Sequence, residues 1–408
     1  MKASIIIPSY NAKERLYLNL TALNEQTYDR DDVEVIVIDN GSTDNTLAML
    51  RHFELKYPLE IIRVEENRGI AYGRNKGVLK AKGDILIFHD SDMIASPNFI
   101  KLHLEAHKEP NLVVCGLFWR RIFTYYYSGF TNEQISSFEK LKRTTRLYKD
   151  FPFPDGYPLI TEEQVRTENL LPYSFDLDSG FIADLKDTIN QYGRNFINYY
   201  LPWRFFITNN LSVDRKKVLA VGMFDANIIK YGYEDYDLGV RLYKSGCKFI
   251  MADHIVSLHQ EHTANYRPDD VVVNINFMCS KYNNIYFMDV LLICLSQCLS
   301  LDTNTLNGIM KDIYQMLALE EYHGLLELML ELLQVIRCKY FLPQEDNSRV
   351  LMPRVIQKMG SIIKSTLILQ KKVGGSFFIR HFCYLFKRAL NIDFDELLEA
   401  NQEREDLL

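Results

Sequence analysis

Two aspartates separated by one serine are the residues of this chain best suited to chemistry. Asp90 and Asp92 follow the apolar stretch 84–89, which the pattern predicts to be a buried strand. Mg²⁺ and Mn²⁺ favour carboxylate oxygens as ligands, and either ion can bridge to the phosphates of a substrate. The same tripeptide could instead form an acidic turn that caps the helix following it. It therefore predicts either a divalent metal site or a capping turn.

A carboxylate and a guanidinium elsewhere in the first hundred residues could bind a nucleotide. Asp39 ends the apolar run 33–38 and precedes a Gly-Ser turn, so it could accept a hydrogen bond from a nucleobase N–H. The alternative is a local Asx-turn. Arg74 lies in the segment GIAYGRNKG and could contact a base carbonyl or a phosphate, while the alternative is a surface ion pair.

An acidic pair begins a predicted helix in the second half of the chain. Glu234 and Asp235 follow the turn KYGY and precede the helical pattern DLGVRLYKSG. Acidic residues in a first helical turn often only complement the helix dipole. The alternative is that one carboxylate points into a crevice and removes a proton from an attacking group, as a general base does.

Two histidines in the segment SLHQEH add a possible nitrogen donor. His259 and His262 follow the strand-like run KFIMADHIVSL. A histidine near an acidic metal site can be a further ligand, whereas an isolated histidine is usually structural.

The first 117 residues alternate between patterns of strands and helices, and this alternation would bring the polar residues together. The predicted strands are 3–8, 33–38, 59–64, 84–89 and 111–117, and the predicted helices include 12–26, 69–81 and one capped by Ser42, Thr43 or Asp44. Continuous apolar strands separated by helices predict a mostly parallel sheet covered on both faces. Ligands bind at the carboxyl ends of such strands, so the polar residues after strands one, two and four should meet in one crevice.

The composition excludes several classes of protein. The chain has 408 residues, of which 47% are hydrophobic and 25% charged, so it is globular and long enough for two or three domains. A net charge of −6 argues against a general nucleic-acid binder. No Gly-rich GxGxxG follows the first strand and no GxxxxGK[ST] occurs, which argues against dinucleotide oxidoreductases and P-loop NTPases. Seven cysteines without a CxxC pair indicate reduced thiols, and hence a cytoplasmic protein.

The hydropathy pattern predicts neither a signal peptide nor a membrane span. The apolar run at the amino terminus breaks at Pro8, and the longest apolar stretch, 285–301, contains Asp289, Ser296 and Gln297. The segment 376–390 mixes aromatic and basic residues. It could be an amphipathic helix on a membrane surface or a helix that faces the core.

The rest of the chain predicts an insert and a helical tail. Residues 118–207 are rich in Tyr, Phe and Pro and indicate long loops and short helices lying over the sheet. Residues 208–262 return to an α/β pattern, and the chain reads as helical from about 270. We therefore expect an α/β domain over 1–265, with 118–207 as an insert, and a C-terminal helical region over 270–408.

Five segments in this order resemble the family 2 glycosyltransferases, which have the GT-A fold. The segments are IIIPSYN at 5–11, VIVIDNGSTDNT at 35–46, ENRGIAYGRNKG at 66–77, GDILIFHDSDM at 83–93, and the stretch 209–246, which ends in YGYEDYDLGVRLYKSG. The DSDM, YGYED and LHQE segments are most similar to bacterial chondroitin-polymerase-like enzymes and related galactosyl- and N-acetylhexosaminyltransferases. The resemblance covers about residues 1–265 and implies a Rossmann-like mixed sheet. It also implies that 1–265 is the catalytic domain and that the insert 118–207 lies on the acceptor side.

The resemblance also implies a role for each candidate residue. Pro8, Tyr10 and Asp39 would frame the uracil and ribose of a UDP-sugar, and Arg74 would assist at the base or phosphate. Asp90 would lie near the ribose or the donor sugar and the metal, Asp92 would hold the metal, and His259 would be a further metal ligand. Asp235 would be the catalytic base, and Glu234 would hold sugar hydroxyls. The segment Tyr231-Gly232-Tyr233 departs from the Trp-Gly-Gly of these relatives.

The implied activity is a metal-dependent, inverting transfer of a hexose or N-acetylhexosamine from a UDP-sugar to a hydroxyl acceptor, with Mn²⁺ or Mg²⁺ as cofactor. The acceptor could be a glycan, a lipid-linked sugar or a peptide, in a setting of polysaccharide biosynthesis. The alternative is a catalytically idle protein that binds sugar nucleotides or acts as a scaffold. Contact with the inner face of the membrane and homo-oligomerisation are left open, and no nucleic-acid partner is expected.

Overall fold

The computed structural model describes residues 1–144, 153–263 and 268–342. Within these residues the chain divides into two compact units. The first unit comprises residues 1–198 and the chain from Pro202 to the gap after Thr263. The second comprises Tyr199–Leu201 and the described residues from Pro268 onward.

The first unit contains both strands and helices. Its strands are β1 (Ala3–Ser9), β2 (Val33–Asn40), β3 (Leu59–Val64), β4 (Ile85–Phe88), β5 (Met93–Ala95), β6 (Leu112–Leu117), β7 (Arg120–Ile122), β8 (Tyr125–Tyr126), β9 (Tyr157–Pro158), β10 (Ser174–Asp176), β11 (Leu211–Asp214) and β12 (Lys248–Gln260). Its α-helices are α1 (Lys13–Asn24), α2 (Thr46–His52), α3 (Ile70–Lys80), α4 (Phe99–Ala106), α5 (Asn132–Thr144), α6 (Glu162–Thr167), α7 (Gly180–Tyr192), α8 (Arg215–Ala220) and α9 (Glu234–Lys244).

A mixed sheet forms the centre of this unit. Its strand order is β10-β7-β12-β6-β11-β4-β1-β2-β3, and β5 pairs with β12. Strand β1 lies parallel to β2 and β4, and β2 lies parallel to β3, whereas β11 runs antiparallel to β4 and β6. The predicted α/β class with a Rossmann-like mixed sheet is therefore confirmed.

The central strands are buried because helices cover both faces of the sheet. Every residue of β1 and β2 is buried. Ile5 and Val35 belong to one apolar cluster with Leu16 and Leu20 of α1. On the opposite face α3 approaches so closely that a Cβ on Gly77 would come within 2.7 Å of the Ile6 side chain. Alternate residues of one strand therefore bury against different helices, which explains the continuous apolar pattern.

The sequence pattern located the central elements well and misplaced one helix cap. The strands and helices predicted over the first 117 residues are present, with ends shifted by one or two residues. The predicted cap at Ser42, Thr43 or Asp44 is wrong, because the cap position of α2 is Asn45. Asp44 still accepts a hydrogen bond from the backbone N–H of Thr46 at 2.9 Å, so its side chain serves the turn before the helix.

The insert contributes more regular structure than its sequence predicts. Strand β7 pairs parallel with β12, and β10 adds to the edge of the sheet beside β7. Strands β8 and β9 form an antiparallel pair, and residues of this pair and of α5 contribute to an apolar cluster that includes Phe123, Phe130 and Phe138. The insert therefore extends the sheet as well as lying over it.

The second unit is helical as far as it is described. Its helices are α10 (Pro268–Lys281), α11 (Met288–Leu299), α12 (Thr303–Leu317) and α13 (His323–Phe341). Their apolar faces supply a buried core that includes Met288, Leu291, Ile309 and Leu332. The predicted segment 376–390 lies outside the described residues. Among the described helices, none is both long and apolar enough to cross a bilayer.

Candidate active site

The parallel register of the sheet brings the ends of β1, β2 and β4 to one edge. Ser9 lies opposite Asp39, and the backbone N–H of His89 donates to the carbonyl of Ile6 at 3.1 Å. Strand β12 reaches the same edge from a distant part of the chain. The backbone N–H of Gln260 donates to the carbonyl of Asp92 at 2.7 Å. This edge therefore carries polar residues from four separate segments.

Asp92, His259 and His262 form a compact group of potential metal ligands. One ligand atom from each lies within 4.8 Å of the other two. Asp92 Oδ2 is 3.5 Å from His259 Nε2 and 3.0 Å from His262 Nε2. Burial alone would raise the pKa of Asp92, but the two histidines outweigh burial and hold that pKa well below its usual range. Asp92 is thus kept ionised.

This group fits a divalent cation. The second oxygen of Asp92, Oδ1, is buried and has no hydrogen-bond partner among the described residues. A buried carboxylate oxygen without a partner is costly unless something else satisfies it. One carboxylate with two imidazoles is a donor set that binds first-row divalent ions. These distances are consistent with the predicted roles of Asp92 and His259 as metal ligands, and they add His262 as a third potential ligand.

Arg74 lies at the centre of a second cluster and is only 2% exposed. Its guanidinium donates to Asp90 Oδ1 at 2.9 Å, to Glu234 Oε1 at 2.9 Å and to Asp235 Oδ1 at 3.2 Å. Burial would lower the pKa of Arg74, but the three carboxylates raise it, so the cation stays charged. Its predicted contact with a base or phosphate stays a prediction, since the observed partners are carboxylates. Asp90 faces Arg74 in the same way, so its role at the metal also remains a prediction.

Asp235 is the carboxylate of this cluster with the properties of a base. Burial, together with the nearby Glu234 and Asp90, raises its pKa to about 7, although Arg74 and Thr208 act in the opposite direction. The backbone N–H and the hydroxyl of Thr208 both donate to it, at distances of 2.9–3.1 Å. A base whose pKa lies near the working pH is well suited to accept a proton.

The start of α9 gives the acidic residues of this helix different environments. Gly232 and Tyr233 both have positive φ, 93° and 72°, and turn the chain immediately before Glu234. Glu234 and Asp235 then reach Arg74, while Asp237 pairs with Arg241 one turn along the helix. Complementing the helix dipole therefore does not account for Glu234 and Asp235, which bind a specific buried cation.

The turn after β4 connects the two clusters. Asp90 accepts a hydrogen bond from Arg74 at 2.9 Å, and Asp92, two residues later in the same turn, belongs to the group of potential metal ligands. The metal-ligand group and the Arg74 cluster therefore share the segment 90–92 and belong to one site.

The predicted nucleotide residues lie at the same edge. Asp39 is buried, and its Oδ1 accepts from the backbone N–H of Ser42 at 3.1 Å, which is the local turn considered as its alternative. Pro8 lies in β1 opposite Ile38, and Tyr10 is 46% exposed just beyond the end of β1. Asn11 was missed, although its Oδ1 accepts from the backbone N–H groups of Thr43 and Asp44 and fixes this loop. Contacts of Pro8, Tyr10 and Asp39 with a nucleotide stay predictions.

A family model and the curated relatives match this chain as glycosyltransferases. The model for glycosyl transferase family 2 matches residues 4–160. The uncharacterized glycosyltransferase YfnE of Bacillus subtilis (strain 168) is 44% identical over 402 residues, covering 97% of this chain and 99% of YfnE. A chondroitin synthase of Escherichia coli is 28% identical over 261 residues, covering 63% of this chain and 34% of that enzyme. Among solved structures, S. aureus TarS 1–349 in complex with UDP-GlcNAc aligns over 88% of this chain and 92% of its own, with 17% identity and a TM-score of 0.46.

Proposed function

Because the chain belongs to glycosyltransferase family 2, we propose that it is a metal-dependent, inverting enzyme that uses a UDP-sugar. It would move a hexose or an N-acetylhexosamine to a hydroxyl acceptor. The observation that carries this proposal is the meeting of two clusters at the segment 90–92: the potential ligands Asp92, His259 and His262, and the buried Arg74 that holds Asp90 and Asp235.

The donor would bind across the carboxyl ends of β1, β2 and β4. Pro8, Tyr10 and Asp39 would frame the uracil and ribose, and Asp90 would lie near the ribose or the donor sugar. Asp92, His259 and His262 would hold Mn²⁺ or Mg²⁺. When bound, such an ion neutralises the negative charge that develops on the leaving diphosphate.

Asp235 would act as the general base. Its carboxylate would take the proton of the acceptor hydroxyl while that oxygen forms a bond to the anomeric carbon. The bond from the anomeric carbon to the diphosphate oxygen breaks, and its electron pair leaves with UDP. A single displacement of this kind inverts the anomeric centre. Arg74 would hold Asp90, Glu234 and Asp235 in their mutual positions, and Glu234 would also contact sugar hydroxyls.

The acceptor and the setting belong to the same proposal. The insert over 118–207 would shape the acceptor site, for a glycan, a lipid-linked sugar or a peptide. The proposal includes a cytoplasmic location and a role in polysaccharide biosynthesis, with peripheral contact at the inner face of the membrane left to experiment.

A panel of UDP-sugars incubated with the protein and Mn²⁺ tests the proposal. At least one UDP-hexose or UDP-N-acetylhexosamine should release UDP, and EDTA should stop the release. A parallel set of GDP-sugars is the control for the nucleotide. Absence of release from every UDP-sugar would favour an idle binding protein, and release from GDP-sugars alone would contradict the predicted uracil site.

Turnover is expected to increase with pH between about 6 and 8, because Asp235 accepts a proton only when it is ionised. Its pKa of about 7 lies above the ordinary range of an aspartate. The ionised fraction should therefore increase roughly tenfold, from about one-tenth to about nine-tenths, over these two pH units. The measurement is kcat/KM for donor and acceptor from pH 5.5 to 9 at saturating Mn²⁺. A profile that is flat above pH 5 would contradict the assignment.

Thr208 provides a matched control for the origin of this pH dependence. Thr208→Val keeps the shape and the backbone N–H but removes the hydroxyl that donates to Asp235. Loss of a hydrogen bond to the ionised form disfavours that form, so the rising limb should move to higher pH. Thr208→Ser retains the hydroxyl and should leave the limb in place. If the rising limb of Thr208→Val stays at the wild-type pH, the Thr208 hydroxyl does not set the pKa of Asp235.

A further inference from the structure

We propose that Glu261, held by Arg121 and Gln134, is a positioning residue that fixes the ring of His259 so that its Nε2 faces the metal ion. This inference rests on the proposed function, because it needs a metal at Asp92, His259 and His262. It adds Glu261 to the site, because the Glu261 carboxylate faces Nδ1, the other ring nitrogen of His259.

The imidazole of His259 lies between two carboxylates. Its Nε2 is 3.5 Å from Asp92 Oδ2, and its Nδ1 is 3.5 Å from Glu261 Oε1. Nδ1 is buried and forms no hydrogen bond within the part of the chain that the structure describes. This separation is longer than an ordinary N–H···O hydrogen bond, and Glu261 Oε1 is the acceptor that Nδ1 faces. Glu261 is therefore the group that can select the tautomer with its proton on Nδ1.

Glu261 is held firmly enough to orient a ring. It is 8% exposed, its Oε2 accepts from Gln134 Nε2 at 2.6 Å, and its Oε1 lies 3.4 Å from Arg121 NH1. A buried carboxylate held by two donors can accept a hydrogen bond from the Nδ1–H without moving.

The residues that hold Glu261 come from the insert. Arg121 lies in β7 directly beside His259, and the backbone N–H of Glu261 donates to the carbonyl of Ile122 at 2.8 Å. Gln134 of α5 also donates to the carbonyl of His262 at 3.0 Å. The insert thus contacts the segment 259–262 through both a strand and a helix, and it supports the metal site in addition to any role at the acceptor.

General metal-site chemistry gives the expected size of the effect. A histidine ligand that donates its other ring N–H to a carboxylate is fixed in tautomer and orientation, and it is a stronger donor to the metal. Loss of such a partner typically costs about 10- to 100-fold in metal affinity.

Direct titration of the full chain with Mn²⁺, followed by the EPR signal of free Mn²⁺ and by calorimetry without donor, tests the inference. Glu261→Gln keeps the shape and the contact with Gln134 but removes the charge, and should raise the Kd for Mn²⁺ about 10- to 100-fold. Glu261→Asp keeps the charge but places the carboxylate farther from His259 Nδ1, so it should give a smaller loss of Mn²⁺ affinity. Glu163→Gln changes an exposed carboxylate of the same insert and should leave the Kd unchanged.

The thermal unfolding midpoint of each variant, measured without metal, separates a positioning role from general damage. The inference is supported if Glu261→Gln binds Mn²⁺ more weakly while its midpoint stays near that of the wild type, with partial recovery in Glu261→Asp. It is overturned, with the proposed function intact, if the wild type binds Mn²⁺ and Glu261→Gln binds it equally well. Failure of the wild type itself to bind Mn²⁺ would overturn both this inference and the metal dependence of the proposed function.

Discussion

Asp92→Asn is expected to reduce Mn²⁺-dependent turnover of the donor by about 10³-fold or more, which corresponds to roughly 4 kcal/mol of transition-state stabilisation. The substitution keeps the volume of the side chain but removes the negative charge that both histidines face. A neutral amide is a poor ligand for a hard divalent cation, so the charge on the leaving diphosphate would no longer be neutralised. The measurement is kcat for UDP release together with Mn²⁺ affinity.

Asp84→Asn is the matched control for this experiment. Asp84 is an exposed aspartate immediately before β4, the strand that leads to Asp92. Its replacement removes the same charge from the surface and should change neither turnover nor Mn²⁺ affinity. If Asp92→Asn keeps the turnover and the Mn²⁺ affinity of the wild type, Asp92 is not a ligand of the metal ion.

Asp235→Asn should lower kcat by about 10²- to 10⁴-fold, the usual contribution of a general base, while Mn²⁺ affinity stays within about twofold of the wild type. The amide oxygen can still accept from Arg74, but the amide nitrogen cannot accept from the backbone N–H of Thr208, and the side chain cannot take the acceptor proton. The raised pKa of Asp235 means that its ionised form is disfavoured in the folded protein. Removing that charge is favourable and offsets the lost hydrogen bond from the Thr208 N–H, so the free energy of unfolding at pH 8 should change little.

Asp237→Asn gives the contrasting result on the same helix. Asp237 is fully buried and pairs with Arg241, outside the Arg74 cluster. Breaking this pair should lower the unfolding midpoint, with little change in kcat at temperatures where the protein is folded. If Asp235→Asn lost Mn²⁺ affinity or stability and kept its kcat, Asp235 would be a structural residue.

The sequence alone was sufficient to predict the central strands and the edge of the sheet at which the site lies. The apolar runs that end at Pro8, Asp39 and His89 predict parallel strands, and parallel strands bring their carboxyl ends together. Asp90 and Asp92 could therefore be assigned to the crevice from their position after β4 alone. The resemblance to family 2 then supplied roles that the spacing of these residues does not contain.

The partners within the site could not be predicted, because they depend on contacts between distant segments. Arg74 pairs with Glu234 and Asp235 across 160 and 161 residues, and Thr208 reaches Asp235 from the loop before β11. No periodic pattern encodes such contacts. His262 was visible in SLHQEH, but its distance to Asp92 was not, and Glu261 between the two histidines gave no signal of its own.

The insert was hard to interpret for a different reason. Strands β7 and β10 have three residues each, too few for an alternating pattern to be recognised. Strand β7 pairs with β12, and β10 pairs with β7. The tertiary partner therefore decides the local structure. This is also why the support that Arg121 and Gln134 give to Glu261 became visible only in the folded chain.

The most direct measurement is an anomalous difference map, recorded at the manganese absorption edge, from crystals of the full chain grown with Mn²⁺ and UDP. The account predicts one strong peak bonded to Asp92, His259 and His262 and to a diphosphate oxygen of UDP, with Asp235 lining the same crevice. A manganese peak bonded to other residues, or UDP bound with no manganese beside Asp92, would contradict it.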